Sequence, residues 1–144
     1  MLNIKSFFLA AILITGGITV ANAQLTNNSV MKFNAAEPFV VMDTTLPAGN
    51  YTIERTPSTI DSNSLMILRG EGKAIIFDSI AARQGATHTT RLIFDNVEGT
   101  LFLNQIQVKG SSVAIALPKS KTEKELIARS KPVNQVVMIA NTGF

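Results

Sequence analysis

The sequence predicts an all-β domain, an antiparallel sandwich or small barrel of about 7–8 strands with one short late α-helix. Three observations carry that expectation. Short apolar, β-branched runs recur along the chain and are separated by clusters of Gly, Pro, Asn and Ser. Strand patterns follow one another without helices between them, which excludes a parallel α/β sheet. A helical pattern with a capping signal appears only beyond Pro118.

The amino-terminal stretch stands apart from this pattern. Lys5 precedes a run from Ser6 to Val20 that is apolar apart from Ser6, Thr15, Thr19 and the Gly16-Gly17 pair, and Ala21-Asn22-Ala23 follows. This is the pattern of a secretory signal peptide over residues 1–23, with cleavage near Ala23 and a mature chain starting at Gln24, secreted or periplasmic. The apolar run is shorter than the roughly 20 residues that cross a bilayer as a helix, and no later stretch approaches that length, so no transmembrane segment is expected after signal removal. The remaining 121 of the 144 residues form one β-rich domain over 24–144, with 12 basic against 10 acidic side chains. A charge so small and dispersed does not point to nucleic acid. The chain has no cysteine, so packing alone must stabilise the fold.

In chain order, Val30 to Phe33 and Pro38 to Met42 are extended candidates, with Pro38 marking a strand start or an edge. Thr45-Leu46-Pro47-Ala48-Gly49-Asn50-Tyr51-Thr52-Ile53-Glu54 is the most interpretable stretch. Pro47 fixes φ for a turn and Gly49 supplies a positive φ, so the chain is expected to reverse there. Beyond it Tyr51 and Ile53 share one face of a strand while Asn50, Thr52 and Glu54 share the other. Residues 56–64 read as the longest loop. Leu65 to Arg69 and Ala74 to Ala82 form a hairpin across Gly70-Glu71-Gly72-Lys73, and Thr90 to Val97 and Leu101 to Lys109 form another across Glu98-Gly99. Val113 to Leu117 follows Gly110-Ser111-Ser112. Ser120 or Thr122 can cap a helix over residues 119–130, each with a glutamate three positions on, and Leu126 and Ile127 are left to dock it. Pro132 ends the helix, and Val133 to Asn141 is a last β-branched strand.

The order of Leu46-Pro47-Ala48-Gly49-Asn50-Tyr51-Thr52-Ile53, Leu65-Met66-Ile67-Leu68-Arg69, Arg91-Leu92-Ile93-Phe94, Leu101-Phe102-Leu103 and Leu117-Pro118-Lys119-Ser120 with Glu123-Lys124-Glu125-Leu126 resembles a group of small exported proteins of acidobacterial type. The likeness spans most of the mature chain. Where that group has a His-Arg-Tyr-Gly-Asp segment, this chain has Phe94-Asp95-Asn96-Val97-Glu98-Gly99. The resemblance implies export and carries over no activity or site residue. The Leu-Pro-x-Gly-x-Tyr-Thr turn alone is also similar to one in prealbumin-like sandwich domains of surface adhesins, where it sits late in the domain.

Material for catalysis is sparse. His88 is the single histidine and lies between threonines in a polar loop, and a zinc site would need several His or Cys ligands, so no metal or other cofactor is expected. The acid pairs Asp95 with Glu98 and Glu123 with Glu125 read as turn and helix-surface residues. Pro47, Gly49 and Tyr51 read as a structural turn. Lys119, Lys121, Lys124, Arg129 and Lys131 form the densest charge and are the candidates for contact with an anionic surface, although Glu123 and Glu125 interrupt them. The expected function is an exported, non-catalytic β domain with a binding or structural role in the cell envelope or outside the cell, meeting envelope proteins or its own copies through a sheet face or edge. The alternative is a small β-barrel carrier whose interior holds an apolar ligand.

Overall fold

The computed structural model describes residues 30–56, 65–130 and 133–143, so the expected signal peptide, most of the long loop and Lys131 lie outside the described residues. The strands are β1 (Val30–Ala35), β2 (Phe39–Val41), β3 (Thr44–Leu46), β4 (Gly49–Arg55), β5 (Leu65–Gly70), β6 (Lys73–Asp78), β7 (Ile80–Arg83), β8 (Arg91–Val97), β9 (Thr100–Gln107), β10 (Val113–Ala116), β11 (Asn134–Ile139) and β12 (Asn141–Gly143). The helix α1 spans Lys121–Arg129 between β10 and β11. Strands outnumber the expectation because β2, β3 and β12 are only three residues long and because two strands are interrupted.

Two sheets result, and they pack as a sandwich and not as a closed barrel. The first runs β12-β1-β4-β5-β6, and the second runs β11-β8-β9-β10-β7. Pairing is antiparallel throughout except where β2 joins β9 in parallel and carries β3 on its other side. The far edge of β9 is thereby shared, its start by β2 and its end by β10. Both expected hairpins form, and in each turn Glu71-Gly72 or Glu98-Gly99 takes positive φ at both positions. That is the turn twist that matches antiparallel strands.

The sheets are connected at their sides by strands that change sheet. The strand expected over Ala74 to Ala82 is broken at Ser79, with β6 ending the first sheet and β7 ending the second. The last strand is likewise split at Ala140, so that β11 pairs with β8 and β12 pairs with β1. Ala140 is buried, and its N–H donates to the Thr90 carbonyl at 3.0 Å, which holds the bend in place. Corners of this kind let one strand serve two sheets.

The stretch around Pro47 is a third crossing. It leads from β3 in the second sheet to β4 in the first, so it is a corner between sheets where the sequence predicts a simple reversal. The Tyr51 hydroxyl donates to the Pro47 carbonyl at 2.6 Å and pins the corner to the strand it enters. Gly49 has φ of +156°, a value that a side chain resists, and its bare Cα leaves room for the Glu71 carboxylate, which accepts from the Asn50 N–H at 3.3 Å.

Tyr51 is also the centre of the core. Its ring stacks on Phe33 across the β1–β4 pair at 5.6 Å and meets Phe39 edge-on at 5.0 Å. Phe39 in turn meets Phe94 edge-on at 5.6 Å. Phe33 and Tyr51 belong to the first sheet and Phe39 and Phe94 to the second, so four rings join the layers. Aromatic pairs of this geometry add about 0.5–1.5 kcal/mol each beyond the area they bury. Ile53, Leu46, Leu68, Leu92 and Ile106 are among the residues of the buried cluster around them.

Gly70 lies opposite Tyr51 in the β4–β5 pair, and a Cβ there would press on the Asn50 carbonyl and the Tyr51 ring. Gly70→Ala should therefore cost about 2 kcal/mol or more, read as a lower urea midpoint. Gly49→Ala, which meets only the movable Glu71 carboxylate and a strained φ, should cost about 1 kcal/mol. Burial first, and the Glu71 charge second, raise the Tyr51 phenol above its ordinary value of 10.0. A raised phenol contributes stability that is complete below its unfolded value and is lost as pH climbs toward its folded one. The chain has a single tyrosine and no tryptophan, so phenolate absorbance should report this group alone. It should rise together with unfolding above about pH 10, and a phenolate signal preceding any loss of structure would contradict the buried placement.

Candidate functional site

Alternation along β8 puts Leu92 and Phe94 into the sandwich and Arg91, Ile93, Asp95 and Val97 on the outer face. Three of those outer residues, Ile93, Asp95 and Val97, are buried all the same. The cover is α1, which lies against β8, together with the segment that leads into it.

A charged cluster forms at that contact. Lys119 Nζ donates to Asp95 Oδ2 at 2.5 Å and to Glu123 Oε1 at 2.9 Å. Asn104 Nδ2 donates to the other Asp95 oxygen at 3.1 Å. Ser120 is the N-cap, and its Oγ accepts from the Glu123 N–H at 3.1 Å. Asp95 and Glu123 are each 3% exposed, so two carboxylates rest on one ammonium with little water around them. Burial pulls the Lys119 ammonium down, but the hydrogen bonds to Asp95 and Glu123 and their charges outweigh it, and its pKa is raised. A lysine held this firmly in its cationic form is neither a nucleophile nor a base at neutral pH.

The sequence separates these residues. Asp95 is paired there with Glu98, which instead occupies the exposed β8–β9 turn, and Glu123 is paired with Glu125, which faces Lys121 at 3.9 Å and Arg129 at 3.8 Å. Lys119, expected in the exposed basic cluster, is drawn into the fold. Lys121, Lys124 and Arg129 remain exposed on α1. Glu123 is the buried residue of the helix, while Leu126 and Ile127 are half-buried, so the helix docks by charge more than by the apolar pair that the sequence picks out. One local signal for the cluster exists in the sequence, the four-residue spacing of Lys119 and Glu123 astride a cap. Its third member is 24 residues away along the chain.

The other candidate residues lie apart. His88 is exposed in the loop before β8. Among the described residues no group of three or more His, Cys, Asp or Glu side chains could hold a metal ion. The largest side chains fill the space between the sheets. A cleft of about 290 Å³ opens at one end of the sandwich, floored by Met31, Met66 and Ile115 with Arg55 at the rim.

Exposed apolar side chains have a pattern of their own. Ile76 on β6 is 63% exposed, Ile80 on β7 53%, and Val137 and Ile139 on β11 51% and 61%. These four lie on strands that end a sheet, and the less exposed Val113, at 44%, lies on β10 inside the second sheet. Comparisons with protein-family models, with curated proteins and with solved structures return no match.

Removing Lys119 would leave two buried carboxylates facing each other. Lys119→Met should destabilise the domain by about 2 kcal/mol, less than a fully buried pair costs because the ammonium keeps some contact with water. Lys124→Met should stay within about 0.5 kcal/mol of the parent. Thermal melts of the two variants side by side check both outcomes.

Proposed function

We propose that this chain is an exported, non-catalytic β domain that works in the cell envelope or outside the cell by engaging other proteins through a sheet edge. The observation that carries the reading is the placement of its exposed large apolar side chains. Ile76, Ile80, Val137 and Ile139 occupy strands that have a ladder partner on one side only among the described residues, while the outer face over β1 and β4 is polar, with Lys32, Asn34, Asn50 and Thr52. An edge that offers both backbone hydrogen bonds and apolar side chains is suited to strand addition.

The amino-terminal pattern and the likeness to small exported proteins support the location. The buried charges support the non-catalytic reading, since Asp95, Lys119 and Glu123 satisfy one another. The filled space between the sheets weighs against the carrier alternative, and the end cleft speaks in its favour.

The test places a photo-cross-linking residue at Ile80, at Val137 or at Thr52 in the full chain, in cells that export it. The mature chain recovered from the envelope or medium should begin at Gln24. Adducts are expected from the two edge positions and not from Thr52 on the polar face. Adducts from Thr52 alone, or from no position, would overturn the edge reading.

A further inference from the structure

We propose that the β11–β12 edge is completed by a second copy of the same chain, paired antiparallel about a two-fold axis near Val137. This rests on the edge-binding reading above and names the occupant. The strands that end a sheet among the described residues differ in one respect that decides between them. The β6–β7 edge carries Lys73, Asp78 and Arg83, the charges with which sheet proteins keep other strands off. The β3 edge is three residues long. The run from Asn134 to Gly143 has neither a charged residue nor a proline, and among the described residues β11 pairs only with β8 and β12 only with β1.

A single edge without charge or proline among the described residues favours a closed pair. Two copies can each use theirs once, whereas joining unlike edges would run on into a filament. The uncharged run also suits its own copy. About a two-fold at Val137, Val137 faces its counterpart, Val136 faces Met138 and Gln135 faces Ile139, so no charge meets a like charge and no side chain changes face. Val136 and Met138 already pack on the core, and pairing would cover Val137 and Ile139, which are exposed in the single chain.

Sedimentation equilibrium of the purified exported chain tests this. The expected mass is twice that of one chain. Val137→Lys sets two ammonium groups against each other at the axis and should weaken dimerisation by about tenfold or more, while Ile76→Lys on the opposite edge should leave it unchanged. Val137 is half-exposed, so its replacement should preserve the circular dichroism spectrum and the melt. If the variant fails to fold, Gln135→Lys on the same face of β11 is read in its place. A chain that stays monomeric but still yields adducts from Val137 in cells would assign the edge to a strand of another protein, overturning the second copy and leaving the edge reading intact. Mass growing beyond a dimer, or dissociation by Ile76→Lys with Val137→Lys silent, would overturn it too. A monomer with no adduct from either edge would overturn both.

Discussion

The contact between the Tyr51 side chain and its surroundings is the constraint on which the two-layer arrangement depends. One residue meets three demands at once. Its hydroxyl holds the corner by which the chain passes from the second sheet to the first, its ring packs against aromatic residues of both sheets, and its opposite number on the next strand must lack a side chain. A phenol buried without a partner would cost more than its ring contributes, so the Pro47 carbonyl is as necessary to the core as the apolar surface is. Phe39 sits on one of the shortest strands, and its position between Tyr51 and Phe94 explains why so brief a strand is ordered in parallel on β9.

Around that centre the domain solves a problem that small cysteine-free sandwiches share. Two sheets without a covalent tie can slide or separate, and each has two edges. Here the chain itself binds the layers at both sides, because Ser79 and Ala140 are bends within otherwise continuous strands. The helix covers the part of the second sheet's outer face where Ile93 and Val97 lie, and it is held there by a lysine shared between a strand carboxylate and a helix carboxylate. Ionic docking of this kind contributes less than apolar packing would, and it fixes position more narrowly.

Much of the architecture was legible in the residues. The alternation of Tyr51 and Ile53, the glycine turns of both hairpins and the Ser120 cap are local signals, and each specified its element. The features that were not legible are those in which distant residues meet. The bend at Ser79 leaves the period of two undisturbed on either side, so the sequence reads as one strand. Gly70 looks like part of a turn until Tyr51 is placed opposite it. Lys119 looks solvated until Asp95 is brought beneath it. Val137 and Ile139 have the same difficulty, since the sequence shows them only as part of a β-branched strand and their exposure appears once β11 is placed at the end of its sheet.

The pairing of β12 with β1 also fixes an order of events. Val30 lies opposite Gly143, so the first described strand waits for the last before the first sheet has its final edge, and the same terminal run must lie along β8 to finish the second. Contacts this distant in sequence are slow to form, because the chain between them must be confined first. Neither sheet can reach its full width until the run from Asn134 to Gly143 is in place. A chain with this topology has a built-in delay, because the same late run of residues supplies an outer strand to each of the two layers.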